Sequence, residues 1–161
     1  MRKRVQSQSP ALGRDASRQG ALDLDKLATV IVTSEQPDNP IEHALLGPTG
    51  RESSRWVAGE SGRQVVTLAF DAPQQVAEVS VEIEDLVQER TQQLELEVSR
   101  DGERSYQVVV RQEFNFSPSG TTWERETWRI GDAPVTHVRL SIVPHKGGGD
   151  TRAMLTSLIL R

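Results

Sequence analysis

From residue 64 onward, apolar and polar side chains alternate along the chain. Val66, Leu68 and Phe70 form one apolar row. Val79, Val81 and Ile83, interleaved with Glu78, Ser80, Glu82 and Glu84, form a second, and Leu94, Leu96 and Val98, interleaved with Glu95, Glu97 and Ser99, a third. A period of two sends successive side chains to opposite faces of a strand, so each segment has one dry and one wet face. Tyr106, Val108 and Val110 continue the pattern, residues 123–130 alternate less cleanly, Val138, Leu140 and Ile142 restore it, and residues 154–160 close the chain. Ahead of these rows, residues 28–33 are a β-branched run that stops at a breaker cluster over 34–40. Residues 40–46 predict the one short helical turn, with Asn39 as cap, Pro40 in the first position and Gly47-Pro48 as the stop.

About eight strands, each with one wet face and separated by turn residues such as Asp101-Gly102, Gly131-Asp132 and Gly147-Gly148-Gly149, predict an all-β fold. The expected architecture is an antiparallel eight-stranded β-sandwich of the jelly-roll kind, since a parallel sheet would need helices between strands. The 161 residues suffice for one well-buried core. We place that domain at 26–161, behind a basic extension at 1–25.

Charge divides along the same line. Residues 1–20 carry Arg2, Lys3, Arg4, Arg14 and Arg18 against Asp15, a net of +4, which leaves −8 for the remainder. An acidic body argues against nucleic-acid binding, which needs clustered Lys and Arg on the folded surface. The extension offers charge for an anionic partner, although a solvated tail of this composition needs none. No apolar run approaches a membrane span, and no apolar stretch follows the basic start, so a cytoplasmic location is expected. The chain has no cysteine, which excludes thiol catalysis and Cys-based zinc binding.

If every strand crosses the sandwich, connections alternate between its ends. The short links at 71–75, 100–104 and 131–134 then share one end and the long segments 34–63, 85–93, 114–121 and 144–151 the other. Long loops in compact domains tend to carry function. The long-loop end gathers Arg55, Trp56, Arg90, Phe114, Asn115, Phe116, His145, Lys146 and Asp150 as candidates, with Arg111 and Glu113 leading up to it. Phe114 and Phe116 can be read in two ways. Two aromatics flanking an Asn suit stacking on a sugar ring or anchoring a protein; alternatively they extend an even-numbered inward row from Tyr106, Val108 and Val110, and Arg111, Glu113 and Asn115 face outward. Trp56 reads as core. Trp123 and Trp128, five apart, fall on opposite faces of a regular strand.

No catalytic constellation emerges. His43, His137 and His145 are far apart, Gly59-Glu60-Ser61-Gly62 lacks the spacing of a nucleophile elbow, and His145-Lys146-Gly147 lacks the order of a phosphate loop. Glu82, Glu84, Glu95 and Glu97 sit at outward strand positions, as solvated sheet faces do, rather than as paired hydrolase carboxylates.

Three stretches together resemble the discoidin family, also called coagulation-factor type C, of the galactose-binding-like fold. Glu42-His43-Ala44-Leu45-Leu46-Gly47 followed by Ser54-Arg55-Trp56 is similar to that family's early turn and buried Trp. Residues 94–102 with Tyr106 look like its strand, Asp-Gly turn and aromatic, and Val138-Arg139-Leu140-Ser141-Ile142 like its late strand. Over residues 28–160 the resemblance implies an eight-stranded jelly roll that recognises glycans, lipid head groups or protein surfaces through loops at one end, without catalysis. Many members hold calcium in the loop before the buried Trp. Here that loop, 47–53, has Arg51 and a single carboxylate, Glu52, and the chain end lacks a late acidic ligand, so neither metal nor cofactor is expected. The leading expectation is a non-enzymatic module binding carbohydrate through the long-loop end; the alternative is an intracellular protein docking module within a larger complex.

Overall fold

The computed structural model describes residues 19–46 and 54–161. Among the described residues the order is α1 (Leu24–Leu27), β1 (Ala28–Val32), α2 (Glu42–Leu45), β2 (Trp56–Ser61), β3 (Gln64–Gln74), β4 (Glu78–Glu84), β5 (Arg90–Ser99), β6 (Gln107–Phe116), β7 (Trp123–Arg129), β8 (Val135–Val143), β9 (Arg152–Leu155) and β10 (Ser157–Leu160). Eight strands build two sheets, ordered β1-β3-β8-β5-β6 and β10-β4-β7, while β2 and β9 pair as a separate ribbon. All pairings are antiparallel, so the eight-stranded sandwich expected from the alternation is the observed architecture.

The apolar rows meet in register. Val66, Leu140 and Leu96 lie side by side across β3, β8 and β5, and Leu68, Val138 and Val98 form the next rung. With Val79, Val81 and Ile83 of β4 and Leu158 and Leu160 of β10 opposite them, these side chains are all but fully buried. Each large apolar side chain so buried contributes about 1.5–3 kcal/mol. Trp56 is fully buried, and its Nε1 donates to the Ser34 carbonyl at 3.2 Å.

Four expectations need correction. The segment 34–63 is not a single loop, because it contains β2. Trp56, Val57 and Ala58 are all buried, so the strand has no wet face at its start and shows no alternation. The chain before β2 folds back beside it: Ser34 Oγ accepts the N–H groups of Gly59 and Glu60 at 2.9 and 3.1 Å. At Gly59 a Cβ would stand 2.8 Å from the Glu35 carbonyl oxygen, so only glycine permits this approach. A second correction is α1, too short at four residues to leave a periodic signal. Third, Asn39 does not cap α2. Its carbonyl is held by Val57 N–H at 3.1 Å, and Glu35 Oε2 accepts the N–H of Ile41 instead. Fourth, the inward row of β6 is not continuous. Leu96 pairs with Val110 and Glu97 with Val108, which leaves Val109 as a bulge. Phe114 and Phe116 stay inward, but Tyr106 and Val108 turn outward, and Tyr106 lies under the Arg139 guanidinium at 3.6 Å.

The packed part of the chain reaches ahead of residue 26. Leu22 N–H bonds to the Leu160 carbonyl at 2.8 Å, and Leu24 is buried. Residues 1–18 and the 47–53 loop, with the readings that fell on them, lie outside the described residues. No described helix is long and apolar enough to cross a membrane.

The registers Arg90↔Phe116, Glu84↔Trp123, Gln93↔Val143 and Gln64↔Ile142 bring the connections 62–63, 85–89, 117–122 and 144–151 to one end. The links 75–77, 100–106 and 130–134 share the other. There Asp101 ties the turn, accepting from the Ser105 hydroxyl and N–H and from Ser99 Oγ; these bonds hold its carboxyl down at about 2.

The chain has a single tyrosine, which makes its environment directly measurable. Burial, followed by the hydrogen bond that Tyr106 donates to Glu103, pushes its hydroxyl up to about 12, against the opposing charge of Arg139. A raised value means stability that is full below about pH 10 and lost as pH rises through the folded value. Ultraviolet titration of tyrosinate should give one transition near pH 12, and Glu103→Gln should lower it; a midpoint near 10 in the intact protein would contradict the packing described.

Candidate functional site

At the long-loop end the two sheets are sewn together by a buried ion pair. Arg90, the first residue of β5, points inward at the head of the row Arg90, Gln92, Leu94, Leu96, Val98. Its Nε donates to Asp85 Oδ2 at 2.7 Å, and its Nη1 donates to Gln92 Oε1 at 2.9 Å and to the Pro144 carbonyl at 2.7 Å. The guanidinium stands 5.0 Å from the centre of the Phe116 ring, a cation–π contact with the last residue of β6. Asp85 Oδ1 accepts the N–H groups of Val87 and Gln88 at 3.0 and 3.1 Å, fixing the 85–89 loop. One side chain therefore holds 85–89, the start of 144–151 and the end of β6. Arg90 Nη2 and Gln92 Nε2 are buried without a protein acceptor, which offsets part of the gain. Burial pushes the Asp85 carboxyl up, but the hydrogen bonds from Val87, Arg90 and Gln88 and the guanidinium charge outweigh it and hold it below the ordinary aspartate value.

Above this staple lies an open cleft of about 670 Å³, lined by Glu89, Arg90, Thr91, Asn115, Phe116, Ser117, Thr121 and His145. The 144–151 loop is docked on Thr91: His145 Nδ1 accepts the Thr91 N–H at 3.3 Å, and Lys146 N–H donates to the Thr91 carbonyl at 2.8 Å. Since Nδ1 accepts, the proton of neutral His145 sits on Nε2, which becomes a donor. A Cβ at Gly147 would press within 3.1 Å of that ring atom, so the glycine lets the loop close over the imidazole. Thr91 Oγ1 donates to Asn115 Oδ1 at 2.8 Å, leaving the Asn115 amide nitrogen as a donor on an exposed side chain. Glu89 adds an exposed carboxylate acceptor and Ser117 and Thr121 add hydroxyls.

The predicted candidates separate. Asn115 and His145 line the cleft by side chains free to meet a ligand. Lys146 stands beside it and reaches Glu113 Oε1 at 2.6 Å; this bond, then that from Gln93, holds the Glu113 carboxyl below its ordinary value. Arg111 lies further down β6, bonded to Glu95. Arg90, expected as a ligand contact, has its side chain fully buried and forms the floor of the cleft. Phe114 and Phe116 are buried, 3% and 2% exposed, and packed edge to face with centroids 6.4 Å apart, which favours the inward-row reading over stacking on a ligand. Arg55 is not at this end, because the fold-back before β2 carries it beside α2, where its carbonyl meets His43 Nδ1 at 3.3 Å. Asp150 is exposed but stands where the loop meets the β2–β3 turn, next to Thr151, whose carbonyl takes the Gly62 N–H. Glu89, Thr91, Ser117 and Thr121 were not singled out from sequence, being ordinary loop and strand-end polar residues. Arg90 did carry a signal: counting back by two from Leu94 places it, with Gln92, in the inward row.

Chemically the cleft offers hydrogen bonds. His145 Nδ1 is engaged by a backbone amide rather than a carboxylate, and Ser117 Oγ meets Ser119 Oγ at 3.3 Å. Among the described residues no three His, Asp or Glu side chains gather as metal ligands.

No family profile and no curated protein matches this sequence. Solved structures do. CBM32-3 from a family 31 glycoside hydrolase of Clostridium perfringens superposes with a TM-score of 0.61 at 16% identity, over 92% of this chain and 98% of that one. The fold is that of this CBM32 module. The CBM32 of AlyQ, solved with 4,5-unsaturated mannuronic acid, gives 0.57 at 18% identity over 84% and 95%. CpGH89CBM32-5 of Clostridium perfringens, solved with GalNAc-β-1,3-galactose, gives 0.56 at 22% over 83% and 94%. These modules have the galactose-binding-like architecture that the resemblance to the discoidin family implied. At such identities the likeness is one of fold.

Arg90→Ala would leave the Asp85 carboxylate buried and unpaired, which costs about 3–5 kcal/mol. Urea denaturation should read that loss, and Arg90→Lys should recover only part of it, because an ammonium lacks the guanidinium fork. Since Asp85 is depressed, its contribution is present above the unfolded value of about 3.9 and lost as pH falls through the folded one. Asp85→Asn should flatten that acid limb; an unchanged limb would remove Asp85 from the account.

Proposed function

We propose that this domain is a non-catalytic carbohydrate-recognition module that takes a sugar in the cleft at the long-loop end. The observation that carries the reading is the convergence, on a rigid floor, of donors and acceptors without aromatic or apolar cover: Asn115 Nδ2, His145 Nε2, the Glu89 carboxylate and the hydroxyls of Ser117 and Thr121. A sugar hydroxyl both donates and accepts, so neighbouring hydroxyls are satisfied by a mixed set of this kind. Asn115 sits on β6, and the Arg90 staple pins the 85–89 loop and the start of 144–151 that carry Glu89 and His145, which lowers the ordering cost of binding. The fold, shared with modules solved holding sugars, supports the same reading. Phe114 and Phe116 contribute by fixing the floor, and selectivity in this scheme comes from hydrogen-bond geometry.

A second reading, docking of a protein, is favoured by one observation. Leu86, Val87 and Trp123 are 61%, 83% and 49% exposed beside the same end. That reading predicts that Leu86→Ser with Val87→Ser removes a specific protein partner while Asn115→Ala retains it.

A glycan array including galactose, GalNAc-β-1,3-galactose and unsaturated mannuronate tests the sugar reading, followed by calorimetry on the best ligand. Asn115→Ala and His145→Ala should each weaken binding by about 2- to 12-fold, the equivalent of one hydrogen bond of about 0.5–1.5 kcal/mol. The thermal midpoint of Asn115→Ala should hold, because that side chain is exposed, while His145→Ala also gives up the bond from Thr91 N–H that docks its loop. A blank array, or wild-type affinity in both variants, would sink the proposal.

A further inference from the structure

A second concavity lies next to the loop-end cleft, two residues further along β5 and β6. On the outer face of the five-stranded sheet lies a groove of about 450 Å³ whose polar walls are Arg63, Gln93, Glu95, Arg111, Glu113 and Ser141. The outward positions of β5 and β6 pair directly, Thr91 with Asn115, Gln93 with Glu113, and Glu95 with Arg111. On β8, Ser141 lies opposite Glu95 and receives Arg63 Nη2 at 3.2 Å. The first pair belongs to the cleft and the next two to the groove, so one polar track runs down the sheet from the loops. Thr91 to Glu95 spans about 13 Å at strand spacing, longer than a single hexose ring.

Resting on the proposed sugar cleft, we infer that the binding surface continues down this track, so that the domain takes an extended oligosaccharide chain rather than one terminal sugar. The chemistry of the walls selects the occupant. Carboxylate and cation alternate, Glu113 with Lys146 and Glu95 with Arg111, and Gln93 stands between them. Acceptor and donor side by side suit the neighbouring hydroxyls of a sugar chain. A polyphosphate is disfavoured, because two carboxylates would face its charges. Of these side chains Arg111 is 72% exposed and Lys146 55% exposed, so solvent screens both pairs and a ligand displaces them at small cost. Lys146 marks the junction, its backbone held at Thr91 in the cleft and its ammonium on Glu113 in the groove.

Calorimetry with length ladders separates this inference from the reading beneath it. The full chain would be titrated with galactose and galacto-oligosaccharides of increasing length, and with mannuronate and chitosan ladders in parallel. On at least one ladder, affinity should rise about tenfold or more from monomer to tetramer. The double variant Glu95→Ala with Arg111→Ala should bring the tetramer-to-monomer ratio close to one. Backbone amide signals of Gln93 and Ser141 should move on adding the tetramer of that ladder. A flat ladder with binding still weakened in Asn115→Ala overturns the extension and leaves the cleft standing. Binding by no ladder, together with a blank array, overturns both. Retained length dependence in a double variant of wild-type thermal midpoint also defeats the extension.

Discussion

Everything at the candidate end hangs on one buried cation. Arg90 reaches Asp85, Gln92, Pro144 and Phe116 from a single strand position, and these partners come from separate stretches of chain. A buried guanidinium is costly unless its hydrogen bonds are met, so the loops around it are not free to relax independently. The 85–89 loop owes its shape to the Asp85 carboxylate, and the 144–151 loop begins at the carbonyl that Arg90 grips. What the solvent sees, Asn115, Glu89 and His145, is positioned by atoms it cannot reach.

The outer face of the five-stranded sheet follows a different rule. Its charges are paired across strands: Arg139 makes two bonds to Glu97, at 3.1 and 2.9 Å, and stacks on Tyr106, while Arg111 and Lys146 hold Glu95 and Glu113. Hydrogen bonding to Arg111 comes first among the causes that hold the Glu95 carboxyl below its ordinary value. The exposed pairs of Arg111 and Lys146 add little to stability, whereas the apolar rungs inside supply most of it. The inner face sets the fold, and the outer face is left to chemistry.

Much of this was legible in the residues. Alternation identified the core rows at 66–70, 79–83, 94–98 and 138–142, and strand parity brought the connections 85–89, 117–122 and 144–151 to one end, although lengths alone do not sort the ends, since 62–63 lies with them and 100–106 opposite. The same parity contained the fate of Arg90 and Phe116, since both occupy inward positions; charge and aromaticity drew attention to them as ligand contacts instead. Other features left no local trace. β2 is buried on both sides at its start, so its period is silent. The bulge at Val109 breaks a row of uninterrupted β-branched residues, where any one of three consecutive valines could be the extra one. Thr91 matters only because a loop some fifty residues later docks on it through His145 and Lys146.

That bulge has a consequence for the molecule's behaviour in company. β6 is the free border of the larger sheet, and a long straight border is a template on which another chain can add itself. At Val109 the hydrogen-bonding rhythm slips by one residue, so an incoming strand aligned with the Phe116 end falls out of step before it reaches Gln107. Arg111 and Glu113, projecting from the same border, add charges that such an intruder would have to bury. The irregularity that turned Tyr106 and Val108 outward thus also blunts the border against self-association.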